Sequence, residues 1–146
     1  MSDTFSTSIQ INGDPFQIWS VLTKPDLMAQ WLGEPSMQVQ VLTSWQINSP
    51  ITIRGFHNGY FENKGTILQF EKEQKLAYSH LSSVSGLADT KENYSVIQMT
   101  LTKQVSGTLL TVIIEHFPTE IIGKHLEFYW KSTLAVIKAK VEGKPI

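Results

Sequence analysis

Apolar and polar residues alternate with a period of two through most of this chain, and the exceptions fall at its start and end. Phe5, Thr7, Ile9 and Ile11 alternate with Ser6, Ser8 and Gln10, which predicts a half-buried strand over 5–11, broken at Gly13. Asp14-Pro15-Phe16-Gln17 then reads as a helix start. An aspartate there accepts from a free backbone N–H, and proline at the first position lacks a donor that would go unpaired anyway. Gln17 stands at capping-box spacing, and Phe16, Trp19 and Leu22 supply an apolar stripe. Lys24-Pro25 interrupts it, and a second short helix is predicted over Asp26–Leu32, stopped by Gly33 and Pro35.

Strands follow almost without interruption. Val39 and Val41 alternate with Gln38 and Gln40, and Ile51 and Ile53 with Thr52 and Arg54. Segments 65–70 and 76–81 flank the charged tip Glu71-Lys72-Glu73-Gln74-Lys75, the pattern of a hairpin, and 82–93 reads as a long polar loop containing Gly86. Ser95, Ile97, Met99 and Leu101 share one face of the next strand; after the turn at Ser106-Gly107, Leu110, Val112 and Ile114 share one face of the last. From Thr119, a candidate N-cap, to the stop at Gly143 the period changes to that of a long helix. Ile122, Leu126, Tyr129, Trp130, Thr133, Leu134, Val136, Ile137 and Val141 fall in one arc of about 160°. Lys124, Glu127, Lys131 and Lys138 lie opposite, and Lys140 intrudes on the apolar arc, where its stem can snorkel.

A helix with so wide an apolar face needs a large surface to lie on. Six to seven antiparallel strands, curved by their natural twist, offer one. The expected fold is therefore α+β: one domain over 1–146, with a curved antiparallel sheet wrapped on the long C-terminal helix and two short helices after the first strand. Gln38, Gln40, Thr52, Arg54 and Lys103 would occupy the sheet's other face.

Composition narrows the function. The 146 residues contain no cysteine, which removes disulfides, thiolate metal sites and thiol nucleophiles. Twelve basic residues against thirteen acidic ones argue against nucleic acid as a partner. No apolar run reaches membrane-spanning length and the first residues do not pattern as a signal peptide, so the expectation is a cytoplasmic protein without a membrane partner.

Several landmarks in order carry a resemblance. They are Asp14-Pro15-Phe16-Gln17-Ile18-Trp19, Leu22-Thr23-Lys24-Pro25-Asp26-Leu27 and Trp31; then Gly65-Thr66-Ile67 before the charged hairpin; then Gly107-Thr108-Leu109-Leu110-Thr111; and finally Trp130-Lys131-Ser132-Thr133-Leu134. The chain resembles the SRPBCC superfamily of helix-grip (Bet v 1-like, START-like) domains, and within it the homologues of the activator of heat-shock protein 90 ATPase. The resemblance implies the helix-grip fold and a ligand space between sheet and helix. It also brings a chaperone partner into view. The eukaryotic co-chaperones have an additional N-terminal domain, whereas this sequence opens on the first strand of the helix-grip pattern, so the chaperone role stands as the alternative. Many family members have glycine before the tryptophan of the last helix; Tyr129 stands there in this chain and brings a bulkier group towards the expected cavity.

Candidate chemistry is sparse. His57, His80, His116 and His125 are scattered without metal-ligand spacing, so no metal and no cofactor is expected. No nucleophile elbow or phosphate-binding glycine motif is present, and no catalytic residue is assigned. Tyr78, His80, Glu115 and His116 are the candidates for proton transfer in a cyclase- or aromatase-type enzyme; Glu115 and His116, as strand neighbours, point to opposite faces. Arg54, the sole arginine, falls on the outer face. The aromatic residues suggest binding instead. Trp31, Tyr78, His80, Met99, Leu126, Tyr129, Trp130 and Thr133 are the expected lining of a site for a small hydrophobic or amphipathic ligand, entered between the Trp31–Gly33 turn, the 82–93 loop and Tyr129-Trp130.

Overall fold

A computed structural model describes residues 4–143. Strand β1 (Thr4–Ile11) leads into helices α1 (Pro15–Thr23) and α2 (Pro25–Leu32). Six strands follow: β2 (Gln40–Thr43), β3 (Pro50–Phe56), β4 (Tyr60–Glu71), β5 (Lys75–Ser82), β6 (Ser95–Gln104) and β7 (Gly107–Glu115). Helix α3 (Glu120–Glu142) closes the chain. The strands form one antiparallel sheet in the order β1-β7-β6-β5-β4-β3-β2, so the first strand returns to pair with the last. This is the helix-grip fold.

The helix ends behave as their residues dictate. Asp14 accepts from the Gln17 N–H at 2.8 Å, Thr119 accepts from the Ile122 N–H at 3.1 Å, and Gly143 ends α3 at a φ of 69°. The Gln17 side chain does not complete a capping box; its amide donates to the Val141 carbonyl at 3.2 Å and ties α1 to the end of α3. Phe16 departs from the expected stripe and is 62% exposed, leaving Ile18, Trp19 and Leu22 as the buried face of α1. Lys138 faces β1 rather than solvent alone: its ammonium donates to the Gln10 carbonyl at 2.6 Å and to Glu142 at 2.7 Å.

The sheet's interior is divided into a filled end and a hollow one. At the filled end Trp19 and Trp45 pack on Phe70, with ring centroids 5.2 and 5.3 Å apart, over Leu76, Met99, Leu110 and Val112. Trp45 stands in the crossing between β2 and β3 at a φ of 61°, and its indole N–H donates to the Thr23 carbonyl at 2.7 Å. Trp31 and Trp130, 5.9 Å apart, continue the aromatic packing where α2 meets α3. Beyond them the sheet is longer than expected, because β4 begins at Tyr60 rather than near Gly65.

Candidate functional site

A cavity of about 570 Å³ occupies the hollow end. Its floor is the concave face of β3–β6, where Ile53, Asn63, Tyr78, His80, Ser95 and Ile97 point inward. Its roof is α3, through Ile122, Leu126, Tyr129 and Trp130. Leu32 at the end of α2, with Met37 and Val39 after it, closes one side, and Val84, Ser85 and Leu87 another.

The floor is hollow because of the residues beside His80. Ser95 pairs with His80 on one side. On the other, the register of Asn63 with Ser82 and of Ile67 with Tyr78 sets Gly65 across from it. Here β5 comes so close that a Cβ on Gly65 would lie 1.7 Å from the Ser79 carbonyl oxygen. The ladder is irregular at the same place: the Thr66 N–H donates to the Ser79 hydroxyl at 2.9 Å, and the register shifts before Gln69. A histidine flanked by glycine and serine leaves space above it that a row of large side chains would fill.

The polar groups of the floor are short of partners. Asn63 Oδ1 is buried and accepts no hydrogen bond. The Tyr78 hydroxyl and the His80 ring make none to any described residue. Burial pushes His80 down to about 4, so its imidazole is neutral, and burial, with Tyr129 nearby, raises Tyr78. Burial also pushes Tyr129 up to about 12. At the mouth Tyr129 is 36% exposed and donates to the Leu32 carbonyl at 2.7 Å, a tie between α3 and the end of α2. Val84 and Ile121, 74% and 72% exposed, flank the opening together with His57 and His125.

Of the residues expected to line a ligand site, Tyr78, His80, Leu126, Tyr129 and Trp130 are brought together on the wall. Trp31, Met99 and Thr133 are not on it; they are buried in the packing behind and beside it. Glu115 and His116 lie away from the cavity, with Glu115 accepting from the Gln98 amide and the His116 ring bonded to the Glu92 carbonyl. Arg54 donates to Gln40 at 2.9 Å, also outside it. The 82–93 segment, expected as a long polar loop at the entry, is tied down by hydrogen bonds and an ion pair. Ser85 donates to the Ser82 carbonyl at 2.7 Å, Asn93 to the Ala88 carbonyl at 2.9 Å, and Lys64 pairs with Asp89 at 2.5 Å. Asn63 was not among the expected site residues. Its only signal in the sequence is a polar side chain two positions before a strand glycine. Among the described residues no group of three or more His, Asp or Glu converges as a metal site, and no helix is long and apolar enough to cross a membrane.

The model of the Activator of Hsp90 ATPase homolog 1-like protein family matches residues 13–142, nearly the whole of the described fold. The chain belongs to this family. Among solved structures it is similar to the protein ChR145 from Cytophaga hutchinsonii, with 30% identity and a TM-score of 0.79 over 96% of this chain and 94% of that one. Similarity to CV1439 from Chromobacterium violaceum reaches a TM-score of 0.83 at 18% identity, over 97% of this chain and 99% of that one. For a protein from Arthrobacter aurescens the values are 0.80 and 13%, over 97% and 87%. The last two likenesses establish the fold alone. No curated protein matches the chain.

Proposed function

We propose that this family member binds one small hydrophobic or amphipathic molecule in the cavity between sheet and C-terminal helix. The observation that carries the reading is the cavity itself: about 570 Å³ of space beside an otherwise tightly filled aromatic core, with an apolar rim at its mouth. An apolar ligand gains about 25 cal/mol for each Å² it removes from water, so a ligand burying roughly 300 Å² has several kcal/mol available before the costs of immobilisation. Among the described residues no Asp or Glu lines the cavity, which favours binding over a cyclase-type reaction, since nothing acidic there pairs with His80 to orient it as a base. The alternative of a chaperone partner takes its support from the family description.

The test is titration with Nile red, an uncharged dye that fluoresces in apolar surroundings, paired with native mass spectrometry of freshly purified protein. One dye per chain is expected, and Leu126→Trp, which places a large ring in the cavity, should abolish binding while melting as a folded protein. Equal dye binding by the folded Leu126→Trp variant overturns the reading.

A further inference from the structure

The dipeptide Asn-Gly occurs twice in the chain, at Asn12-Gly13 and at Asn58-Gly59, and the structure sets the two in opposite surroundings. Asn58-Gly59 lies at the tip of the β3–β4 hairpin, between the paired residues Phe56 and Tyr60. Both residues have positive φ, 57° and 126°, which asparagine and glycine tolerate best in a tight turn. Both are exposed, and a Cβ built on Gly59 would meet nothing within 4 Å. Neither the Asn58 side-chain amide nor the Gly59 N–H bonds to any described residue; the turn is closed instead by the His57 N–H, which donates to the Gly59 carbonyl at 2.8 Å.

Asn12-Gly13 is held at every backbone group around the peptide bond. The Asn12 N–H donates to Glu142 at 2.8 Å, the Gly13 N–H to the Ile11 carbonyl at 3.1 Å, and the Gly13 carbonyl accepts from the Thr108 hydroxyl at 2.9 Å. A Cβ on Gly13 would lie 3.0 Å from both Gln17 and Val141. Asn48-Ser49 is tied in the same way, its Ser49 N–H donating to the Gln46 carbonyl at 3.0 Å.

From this contrast we infer that Asn58 is a modification site, where the side-chain amide is exchanged for a carboxylate without an enzyme. The Gly59 nitrogen, its proton passing to solvent base, attacks the Asn58 side-chain carbonyl carbon. The new C–N bond closes a cyclic imide, and the amide nitrogen leaves as ammonia. Water then opens the ring at either carbonyl and leaves aspartate or isoaspartate. The sum is water taken up and ammonia released, with no oxidation or reduction. The attack needs an unhindered nitrogen whose N–H is open to solvent, which Gly59 provides; Gly13 offers one only after local opening. The product adds a negative charge to a chain of net charge −1, next in sequence to His57, which lines the cavity. The chemistry holds whatever the cavity binds.

The experiment is incubation of the full folded chain for several days in mildly alkaline buffer at physiological temperature, followed by peptide mapping with mass spectrometry and enzymatic methyl labelling of isoaspartate. Asn58 is expected to convert at least about tenfold faster than Asn12, the factor set by an opening cost of about 1.4 kcal/mol at the bonded site. In concentrated urea the two identical dipeptides should convert within about threefold of each other, because the structure that separates them is gone. Asn58→Gln, one methylene longer and so slow to cyclise, should stop the build-up of the acidic form on ion exchange; the wild-type peptide map decides the matter if this variant fails to fold. Native Asn12 converting as fast as Asn58 overturns the inference, as does an Asn58 that reacts in urea and stays intact in the folded protein, or a folded Asn58→Gln that turns acidic at the wild-type rate.

Discussion

Replacing His80 by leucine should reduce the protein's sensitivity to mild acid. The ring faces the cavity without a hydrogen bond to any described residue, so leucine strands no partner. In the folded state burial holds His80 at about 4, whereas the unfolded chain has the ordinary histidine value near 6.5. As pH falls below that ordinary value the unfolded chain takes up a proton that the folded one refuses. Stability is therefore full above about pH 6.5 and is lost progressively towards pH 4. Linkage between those two values gives a loss of about 2–3 kcal/mol on going from roughly pH 7.5 to 4.5. Against a total of 5–15 kcal/mol typical of a domain this is a large fraction, equivalent to about 1–2 M in a urea midpoint. The assay is urea unfolding of wild type and His80→Leu at both pH values, which cancels every other titrating group in the difference. Wild type should lose about 2–3 kcal/mol more than the variant. Equal losses would show that His80 titrates in the folded state much as it does in the unfolded one, and that the cavity floor is wet enough to carry charge.

Three further outcomes follow from the geometry. Gly65→Ala drives a Cβ into the Ser79 carbonyl and should cost about 3 kcal/mol, seen as a melting temperature lower by roughly 10 °C; an unchanged melt would contradict the close approach of β4 and β5. Lys138→Met removes the ammonium shared by the Gln10 carbonyl and the Glu142 carboxylate, whose side chain is 4% exposed, and should cost about 2 kcal/mol in urea unfolding; an unchanged unfolding midpoint would contradict this tie between α3 and β1. Tyr129→Gly removes both the bond to Leu32 and the ring at the mouth, so dyes bulkier than Nile red should enter; if only stability changes, the ring does not limit access.

The fold was legible because its sequence signals are local and agree with one another. Asp14-Pro15, Thr119 and Gly143 mark helix ends by what their side chains or backbone can do, and all three act there in the structure. The alternation in 95–101 and 110–114 predicts two strands because each has one face on the core. The cavity was harder to read for a physical reason. On a strand that lines a ligand space the inward residues include polar ones, so the alternation that marks β6 fades over Tyr60–Asn63, and the start of β4 is missed with it. Asn63 reads as a solvent-facing residue until the pairing with Ile53 places it on the inner face. Trp31, Met99 and Thr133 show the converse: helical and strand periodicity tells which side chains turn inward, but not whether they meet other side chains or empty space. That distinction depends on small residues far apart in sequence, Gly65 and Ser95 flanking His80, and on a strand register that alternation alone does not specify.

The most direct measurement is a methyl-detected NMR titration of the protein with 1-dodecanol. Saturable shifts are expected at Ile53, Leu81, Ile97, Ile122 and Leu126, which line the cavity, while Ile18, Leu22, Leu76 and Leu110 in the filled end stay in place. Shifts confined to Leu68 and Val96 on the outer face of the sheet, or no saturable shift at any cavity methyl, would contradict a ligand held between sheet and helix.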